Sequence, residues 1–293
     1  MTDYENWMRG LNDDVLIGGL SVPGTHNSAA CRLAFPSVKC QGQSITDQLN
    51  NGVRFLDVRV GKYPLLSSNE LFVCHGMFPI SLPIPTKLAT VLEEIYRWQD
   101  GHPQEVVFVS LKDEGPSPFD FNNDEFATLI KQVVEKDGQR WYLGSSIAQI
   151  GQVRGKLILF RRYRVNRQEN DLGFAANSWP YNCTMDDRGQ FMVQDFCEVK
   201  NPEDIPQKIN YVDDMCKAAQ THNSTEPNGK LFVNFTTASN FFNYKCWPKQ
   251  IAKALAGSNF AAGIGKGCGI VILDFADVDE WGIPHRIVDS NFQ

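Results

Sequence analysis

The sequence lacks several features that would assign it quickly to a class of protein. No apolar run among its 293 residues reaches the roughly 18 needed to cross a bilayer. Cationic residues are too few for nucleic acid: 28 Lys and Arg stand against 34 Asp and Glu, a net charge of −6. The same charge disfavours a purely electrostatic contact with anionic lipid. These absences favour a globular protein without a nucleic-acid partner.

Neither the cysteines nor the N-terminus indicates export. The eight cysteines are widely spaced, with no CxxC pair and no Cys/His spacing of a metal site. We therefore expect most of them to be buried free thiols in a reducing compartment. Residues 1–14 are polar and acidic, unlike a secretory signal. We expect a cytoplasmic protein, while Asn-x-Thr sequons at Asn182, Asn223 and Asn234 keep a secreted mature form open.

Short apolar runs alternate with longer amphipathic stretches, and no repeat or linker divides them, so we interpret residues 1–293 as one domain. The predicted strands are Leu16–Val22, Val53–Val58, Leu71–Cys74, Val106–Leu111, Leu157–Phe160, Phe191–Gln194, Leu231–Phe235 and Ile270–Leu273. The predicted helices are Lys87–Gln99, Asp124–Glu135, Asp204–Ala219 and Pro248–Gly257. Continuous aliphatic strands that alternate with helices predict an α/β fold, a single (β/α)8 TIM-type barrel.

Polar residues collect directly after the predicted strands, where a barrel has its active site. In chain order they include His26 and Asn27, Asp57 and Arg59, His75, Lys112 and Glu114, Arg162, Asp195, Thr237 and Asp274. Asp57 and Arg59 are two apart on a strand, so both side chains point into the barrel, either as site residues or as a salt-bridged core pair. Any one of these residues could be an ordinary loop residue. Together they favour an anionic, polyhydroxylated substrate such as a sugar phosphate.

The segment SVPGTHNSAA (21–30) resembles the first-strand motif of the phosphatidylinositol-specific phospholipase C X-domain family. Further matching segments follow in the family's order: ITDQLNNGVRFLDVRVG (45–61), LFVCHGMF (71–78), EVVFVSLKDE (105–114), GKLILFRRY (155–163), SWPYN (178–182), MVQDF (192–196), LFVNFTT (231–237) and VILDF (271–275). The resemblance spans about residues 15–285 and is strongest to the small bacterial enzymes. It implies a distorted (β/α) barrel that cleaves the phosphodiester between inositol and diacylglycerol.

The resemblance also implies roles for individual residues. His26 resembles the general base that deprotonates the inositol 2-hydroxyl, and His75 the general acid that protonates the departing diacylglycerol oxygen. Asp274 matches the carboxylate that orients the base, and Arg59 would bind a non-bridging phosphate oxygen. The substrate-binding positions implied are Lys112, Arg162, Asp195 and Trp179.

Metal dependence is a point on which the chain departs from the bacterial pattern. Calcium-dependent relatives have an Asn after the first histidine and carboxylates on later strands. Asn27 resembles the first of these two features. Arg59 and Lys112 stand where that type has carboxylates, and calcium takes roughly six to eight oxygen ligands. We therefore expect no cofactor, with Asn27 and Asp57 among the catalytic group. If calcium were bound, Asn27, Asp57 and Glu114 would be its ligands.

Two further regions bear on the substrate. Cys197 stands where the bacterial enzymes have a tyrosine that packs on the inositol ring, which leaves the head group open. The loop after the seventh predicted strand carries four aromatic residues suited to a bilayer interface: Phe241, Phe242, Tyr244 and Trp247. Residues 77–85 could add to this surface. We expect a monomer with a phospholipid substrate and transient peripheral membrane contact, unless both loops fold back onto the barrel.

Other functions are compatible with the same barrel. A metal-dependent glycerophosphodiesterase or a sphingomyelinase D-like enzyme would have acidic residues around the first histidine's partners, and Arg59 argues against both. A non-catalytic lipid-binding module would lack a catalytic histidine or its orienting acid. His26, His75 and Asp274 are all present, so an enzyme is the favoured interpretation.

Overall fold

The structure is a computed structural model that describes residues 2–32, 34–63, 66, 70–81, 83–166, 172–226 and 229–293. Within these residues twelve strands join one sheet: β1 (Ser21–Thr25), β2 (Phe55–Gly61), β3 (Phe72–His75), β4 (Phe78–Pro79), β5 (Val107–Asp113), β6 (Trp141–Tyr142), β7 (Leu157–Arg162), β8 (Phe174–Ala175), β9 (Asp186–Asp187), β10 (Phe191–Gln194), β11 (Leu231–Phe235) and β12 (Gly269–Leu273). The same residues form the helices α1 (Ile45–Asn50), α2 (Leu88–Gly101), α3 (Glu125–Glu135), α4 (Ile150–Val153), α5 (Ile205–Thr225), α6 (Pro248–Ala256) and α7 (Gly282–Asp289). No helix in this part of the chain is long and apolar enough to span a membrane.

The centre of the sheet is a curled run of parallel strands in the order β7-β5-β2-β1-β12-β11-β10. The first and last of these strands in the chain, β1 and β12, pair in register along the whole of β1. Aromatic rings bridge the end strands β7 and β10: Phe174 stacks on Phe160 with centroids 5.6 Å apart and lies 6.0 Å from Phe191. The predicted distorted (β/α) barrel is therefore confirmed.

The third predicted strand is present, but its direction is not that of a barrel strand. Phe72–His75 pairs antiparallel with the carboxyl end of β2 and then with β4. β1 pairs only with the first two residues of β2, so the rest of that edge is open and β3 occupies it. The first strand also begins later than predicted, at Ser21 instead of Leu16, because Ile17–Gly19 form a 3-10 turn.

Most of the buried apolar side chains form two layers, one between the strands and the helices and one inside the barrel. Leu56 and Val58 of β2 pack outward into the helix layer, whereas Phe55 packs inside the barrel. Asp57 and Arg59 share the inner face with Phe55, as their spacing predicts. The four predicted helices correspond to α2, α3, α5 and α6. The predicted apolar face of α2 is buried: Leu88, Val91, Leu92, Ile95 and Trp98.

A fully buried ion pair lies at the amino ends of β2 and β5, opposite the mouth of the barrel. The Nε atom of Arg54 donates to Glu105 Oε2 at 2.9 Å, and its guanidinium lies 4.6 Å from the ring centroid of Trp98. Its Nη atoms donate to backbone carbonyls, among them those of Leu49 at 2.8 Å and Glu5 at 2.7 Å. These partners compensate the buried charge and fix the N-terminal segment against the barrel.

Candidate active site

The mouth of the barrel holds a cavity of about 320 Å³. Eight of the polar residues that follow the predicted strands line it: His26, Arg59, His75, Lys112, Arg162, Asp195, Thr237 and Asp274. They converge because the carboxyl ends of parallel strands meet at one end of a barrel. β3 places His75 there as well, because it runs back along the carboxyl end of β2.

His26 follows β1 and is buried beside Asp274, which follows β12. The His26 Nδ1 atom lies 2.8 Å from Asp274 Oδ1. With Nδ1–H donated to the carboxylate, the lone pair of the neutral ring is on Nε2. Burial lowers the pKa of His26 well below its usual value, and the charges of Arg59 and His75 lower it further. The ring is thus neutral and able to accept a proton.

His75 faces His26 from the end of β3. Its Nδ1 atom donates to the Val38 carbonyl at 2.8 Å, so its Nε2 atom is left to meet a ligand. Burial and the Arg59 charge lower the pKa of His75. An anionic phosphate in the cavity would oppose these effects and favour the protonated ring.

Arg59 is held by two carboxylates beneath the cavity. Its Nε atom lies 3.2 Å from Asp57 Oδ2, and its Nη1 atom lies 3.2 Å from Glu114 Oε1. Glu114 also accepts from Lys112 Nζ at 2.9 Å and from the backbone N–H of Gly76 at 2.8 Å. Burial alone would raise the pKa of Glu114, but the Arg59 and Lys112 charges bring it far below its usual value. Glu114 thus connects the turn after His75 with the two cations.

Asp57 does not line the cavity but binds two arginines that do. Its Oδ1 atom accepts from Arg162 Nη1 at 3.2 Å, and Arg59 occupies the other oxygen. Although burial opposes the shift, these two cations hold the pKa of Asp57 below its usual value. Arg162 also lies 3.8 Å from Asp195 and 4.3 Å from the ring centroid of Trp179. Trp179 in turn donates its Nε1–H to Asp195 at 3.0 Å.

Asn27 is placed differently from its expected catalytic position. It is fully buried, does not line the cavity, and donates from Nδ2 to the Cys74 carbonyl at 3.1 Å. No hydrogen bond between Asn27 and Arg59 is found among the described residues, although the Asn27 bond to Cys74 uses only the Nδ2 donor. The Asn27 Oδ1 atom is buried without a partner in the same part of the chain.

The oxygens near Asn27 fit calcium poorly. Asp57 and Glu114 both bind Arg59, and Glu114 also binds Lys112. Calcium takes roughly six to eight oxygen ligands, and the two cations occupy the carboxylates that it would need. The donor set that the sequence offered for calcium is therefore engaged in ion pairs.

Tyr181 and Cys40 were not proposed as site residues from the sequence, and Cys197 was noted there only as a departure from the bacterial pattern. Tyr181 lines the cavity, as does Cys197, whose backbone N–H donates to Asn182 next to the tyrosine. Tyr181 belongs to the SWPYN segment, whose resemblance to the family could have indicated it. Cys40 is fully buried, with Sγ 3.5 Å from His75 Nδ1, and nothing in its local sequence marks it.

Three loops contribute an exposed aromatic surface beside the mouth. We call this surface the aromatic rim, and it consists of Phe35, Phe78, Phe241 and Phe242. Phe78 stacks on Phe241 with centroids 5.8 Å apart, and Phe35 and Phe242 make edge contacts with this pair. Phe242 is 96% exposed. Such a large exposed aromatic patch is typical of an interaction surface.

The other residues predicted to touch a membrane differ in exposure. Tyr244 is exposed. Trp247 is half-buried and donates its Nε1–H to the Phe241 carbonyl at 3.0 Å, so it fixes the loop instead of projecting from it. Met77 and Ile84 of the predicted 77–85 segment are exposed, and Leu82 lies outside the described residues.

The chain is similar to known proteins along most of its length. A model of the PI-PLC X family, described as PI-PLC X 1, matches residues 18–213. A Listeria monocytogenes protein named 1-phosphatidylinositol phosphodiesterase is 25% identical over 93% of the chain and 81% of its own length. A Staphylococcus aureus protein of the same name is 24% identical over 98% of the chain and 94% of its own length. The solved phosphatidylinositol-specific phospholipase C of S. aureus superposes with a TM-score of 0.80 at 23% identity, covering 99% of the chain and 98% of that structure.

Proposed function

The chain belongs to the PI-PLC X family, and we propose that it cleaves phosphatidylinositol, or a glycosylated form of it, to diacylglycerol and inositol 1,2-cyclic phosphate. The observation that carries the proposal is the pair of histidines at the mouth. The rings of His26 and His75 lie 5.5 Å apart, and both line the cavity together with Arg59. The two relatives named 1-phosphatidylinositol phosphodiesterase support the substrate class.

In the proposed reaction one histidine takes a proton from the attacking hydroxyl, and the other gives a proton to the leaving oxygen. The Nε2 atom of His26 accepts the proton of the inositol 2-hydroxyl, and that oxygen bonds to phosphorus. The bond from phosphorus to the diacylglycerol oxygen breaks, and His75 protonates the departing oxygen. Each such transfer is typically worth about 10²–10⁴ in rate. Asp274 holds His26 in the required tautomer and stabilises its charged form.

Arg59 supplies the positive charge of this reaction at the phosphate. Its guanidinium is fixed by Asp57 and Glu114, so it meets the non-bridging oxygens without reorganising. We propose that Arg59 and Lys112 take the place of a metal ion. The engagement of Asp57 and Glu114 in these ion pairs supports a metal-independent reaction.

The inositol ring would bind on the side of the cavity lined by Lys112, Arg162 and Asp195. Asp195 is oriented by Trp179, and a carboxylate can accept from two vicinal hydroxyls. Tyr181 offers an aromatic ring at this wall, near the Cys197 that departs from the bacterial pattern. Hydroxyl acceptors, cations and an aromatic wall support an inositol head group.

The aromatic rim would contact the membrane while lipid enters the cavity. Phe241 and Phe242 are exposed beside the mouth, and aromatic side chains suit the bilayer interface. We propose transient, peripheral contact by a monomer. All eight cysteines are free, and the sequon residue Asn234 is fully buried. Both observations support a reducing, cytoplasmic location.

The test of the proposed function is cleavage of phosphatidylinositol vesicles by the purified protein, followed by phosphorus NMR. Parallel samples contain excess EDTA or added calcium, and His26→Ala is the control variant. Cyclic product in EDTA, absent with His26→Ala, is the expected result. Activity only with calcium would overturn metal independence. No cyclic product in either sample would overturn the proposed reaction.

A further inference from the structure

A cluster of three buried side chains that can ligate a metal includes His26 and lies beside His75. The ligand atoms of His26, Cys40 and Asp274 all lie within 4.8 Å of one another. Cys40 is fully buried, and its Sγ atom is also 3.5 Å from Nδ1 of His75. The proposed reaction uses the imidazole and the carboxylate but gives the thiol no part.

We propose that Cys40, His26 and Asp274 form an inhibitory binding site for a thiophilic divalent cation, of the class of Zn²⁺ and Cd²⁺. Zinc bonds are about 2.3 Å to sulfur and about 2.0–2.2 Å to nitrogen or oxygen. Ligand atoms around one ion are therefore about 3–4 Å apart. The three atoms already lie within 4.8 Å of one another, so small side-chain shifts would bring them to this spacing. Three protein ligands with a fourth open position are a common zinc arrangement.

The donor set selects the class of ion. Thiolate and imidazole ligands favour zinc and other soft ions, whereas calcium and magnesium prefer oxygen ligands. The proposed site is also separate from the oxygens of Asn27, Asp57 and Glu114, which were the only calcium ligands that the sequence offered. The prediction is thus specific for thiophilic ions over calcium.

Binding there would stop the proposed proton transfer. The Cys40 thiol loses its proton to solvent, because the thiolate is the metal ligand. A metal on Nδ1 of His26 excludes a proton from that atom, so the neutral ring carries its proton on Nε2. The Nε2 atom then has no lone pair for the substrate hydroxyl. This inhibitory consequence rests on the proposed function, whereas the binding itself does not.

The direct test measures Cd²⁺ binding by calorimetry and by the ultraviolet charge-transfer band of the cadmium–thiolate bond. Wild type is compared with Cys40→Ser, Cys40→Ala and the control Cys31→Ser, whose thiol lies outside the cluster and contacts the Ala29 carbonyl. We expect one ion per chain in wild type and Cys31→Ser. Both Cys40 variants should bind more than about 100-fold more weakly, exceeding the roughly 10–100-fold loss typical of an outer-shell partner. His26→Ala should also weaken binding.

The same proteins are then assayed on phosphatidylinositol with increasing Zn²⁺. Wild type and Cys31→Ser should be inhibited, with recovery on EDTA addition, while a folded Cys40 variant should need more than about 10-fold more Zn²⁺. Unchanged Cd²⁺ binding in both Cys40 variants, or no binding by wild type, would overturn the site. Cys40-dependent binding by a protein without any turnover would instead uphold the site and refute the proposed function.

Discussion

The imidazole rings of His26 and His75 lie edge to face, with centroids 5.5 Å apart and planes at 85°. Each ring has its Nδ1 atom bound to an acceptor, Asp274 for one and the Val38 carbonyl for the other. The two Nε2 atoms are therefore the ones left to exchange protons with a substrate. The partners distinguish the roles, because a carboxylate stabilises the imidazolium that a base becomes, more than a neutral carbonyl does.

Asp274 and His26 should behave as one catalytic unit. We expect His26→Ala to lower kcat by roughly 10²–10⁴, and Asp274→Asn to lower it by a smaller factor. The double variant should be no worse than His26→Ala, because the carboxylate acts only through that ring. Steady-state kinetics on phosphatidylinositol measures all three. Losses that multiply in the double variant would show that Asp274 has a separate role.

Arg59→Lys should remove transition-state stabilisation at the phosphate. A lysine keeps the charge but cannot bind Asp57, Glu114 and the substrate through a planar fork. We expect kcat to fall roughly 10²–10³-fold with a smaller change in KM. Arg161→Lys is the matched control, since Arg161 is the neighbour of Arg162 on β7 but does not line the cavity. Equal losses in the two variants would contradict the assignment of Arg59.

Phe242→Ala should weaken membrane binding without changing the chemistry. Removing this exposed ring should cost about 1 kcal/mol of vesicle affinity, or roughly five-fold, because only part of its surface enters the interface. Vesicle sedimentation measures binding, and a water-soluble inositol phosphodiester measures turnover. Phe292→Ala is the control, since this exposed ring lies beside Gly10 in the N-terminal segment, away from the aromatic rim. Equal effects of the two substitutions would contradict the membrane role.

Arg54→Met should destabilise the fold strongly. It leaves the Glu105 carboxylate buried without its cation, a change that typically costs about 3–5 kcal/mol. Urea unfolding followed by fluorescence measures the free energy of unfolding. Lys87→Met breaks the largely exposed pair with Glu70 and should change stability little. Similar stabilities of the two variants would show that the Arg54 ion pair contributes no more than a surface pair.

Lys208 should make stability depend on pH in the alkaline range. Burial lowers its pKa to about 8 from the usual 10.5. Below pH 8 the lysine is charged in both the folded and the unfolded protein. Between pH 8 and 10.5 it is largely neutral in the folded protein and charged in the unfolded chain, which therefore binds more protons. The contribution of Lys208 to the free energy of unfolding should therefore rise with pH from about 8 to 10, by at most about 1.4 kcal/mol per pH unit. Buried thiols such as Cys40 and Cys74, whose pKa burial raises, contribute with the opposite sign, so the effect of Lys208 has to be measured against a variant.

Lys208→Met tests this linkage. Its two acceptors, Gln194 Oε1 and the Phe235 carbonyl, each keep another donor, so the substitution leaves neither of them without a hydrogen bond. Denaturant unfolding at several pH values should show that the free energy of unfolding of wild type, relative to that of the variant, rises with pH from about 8 to 10. The same slope in both proteins would contradict the assignment of the titration to Lys208.

Much of the fold and the candidate site could be predicted because the relevant signals are local. The alternation of β2 placed Asp57 and Arg59 on the inner face before any contact was known. The position of His26, Lys112 and Asp274 after apolar strands predicted the mouth of a barrel, where the structure gathers them. The aromatic residues of the loop with Phe241 and Phe242 were also recognisable from the sequence as a candidate interaction surface.

The sequence by itself determined the barrel, the strand-end positions of the polar residues and the resemblance that assigns their roles, because periodicity and motif order are properties of neighbouring residues. The tertiary structure alone decided the direction of β3, the use of Asn27 to bind the Cys74 carbonyl, and the contact of Glu114 with Arg59 and Gly76. It also placed Cys40 within 4.8 Å of the ligand atoms of His26 and Asp274. These contacts join segments that are distant in the chain or pass through backbone groups that every residue carries, so no local pattern encodes them.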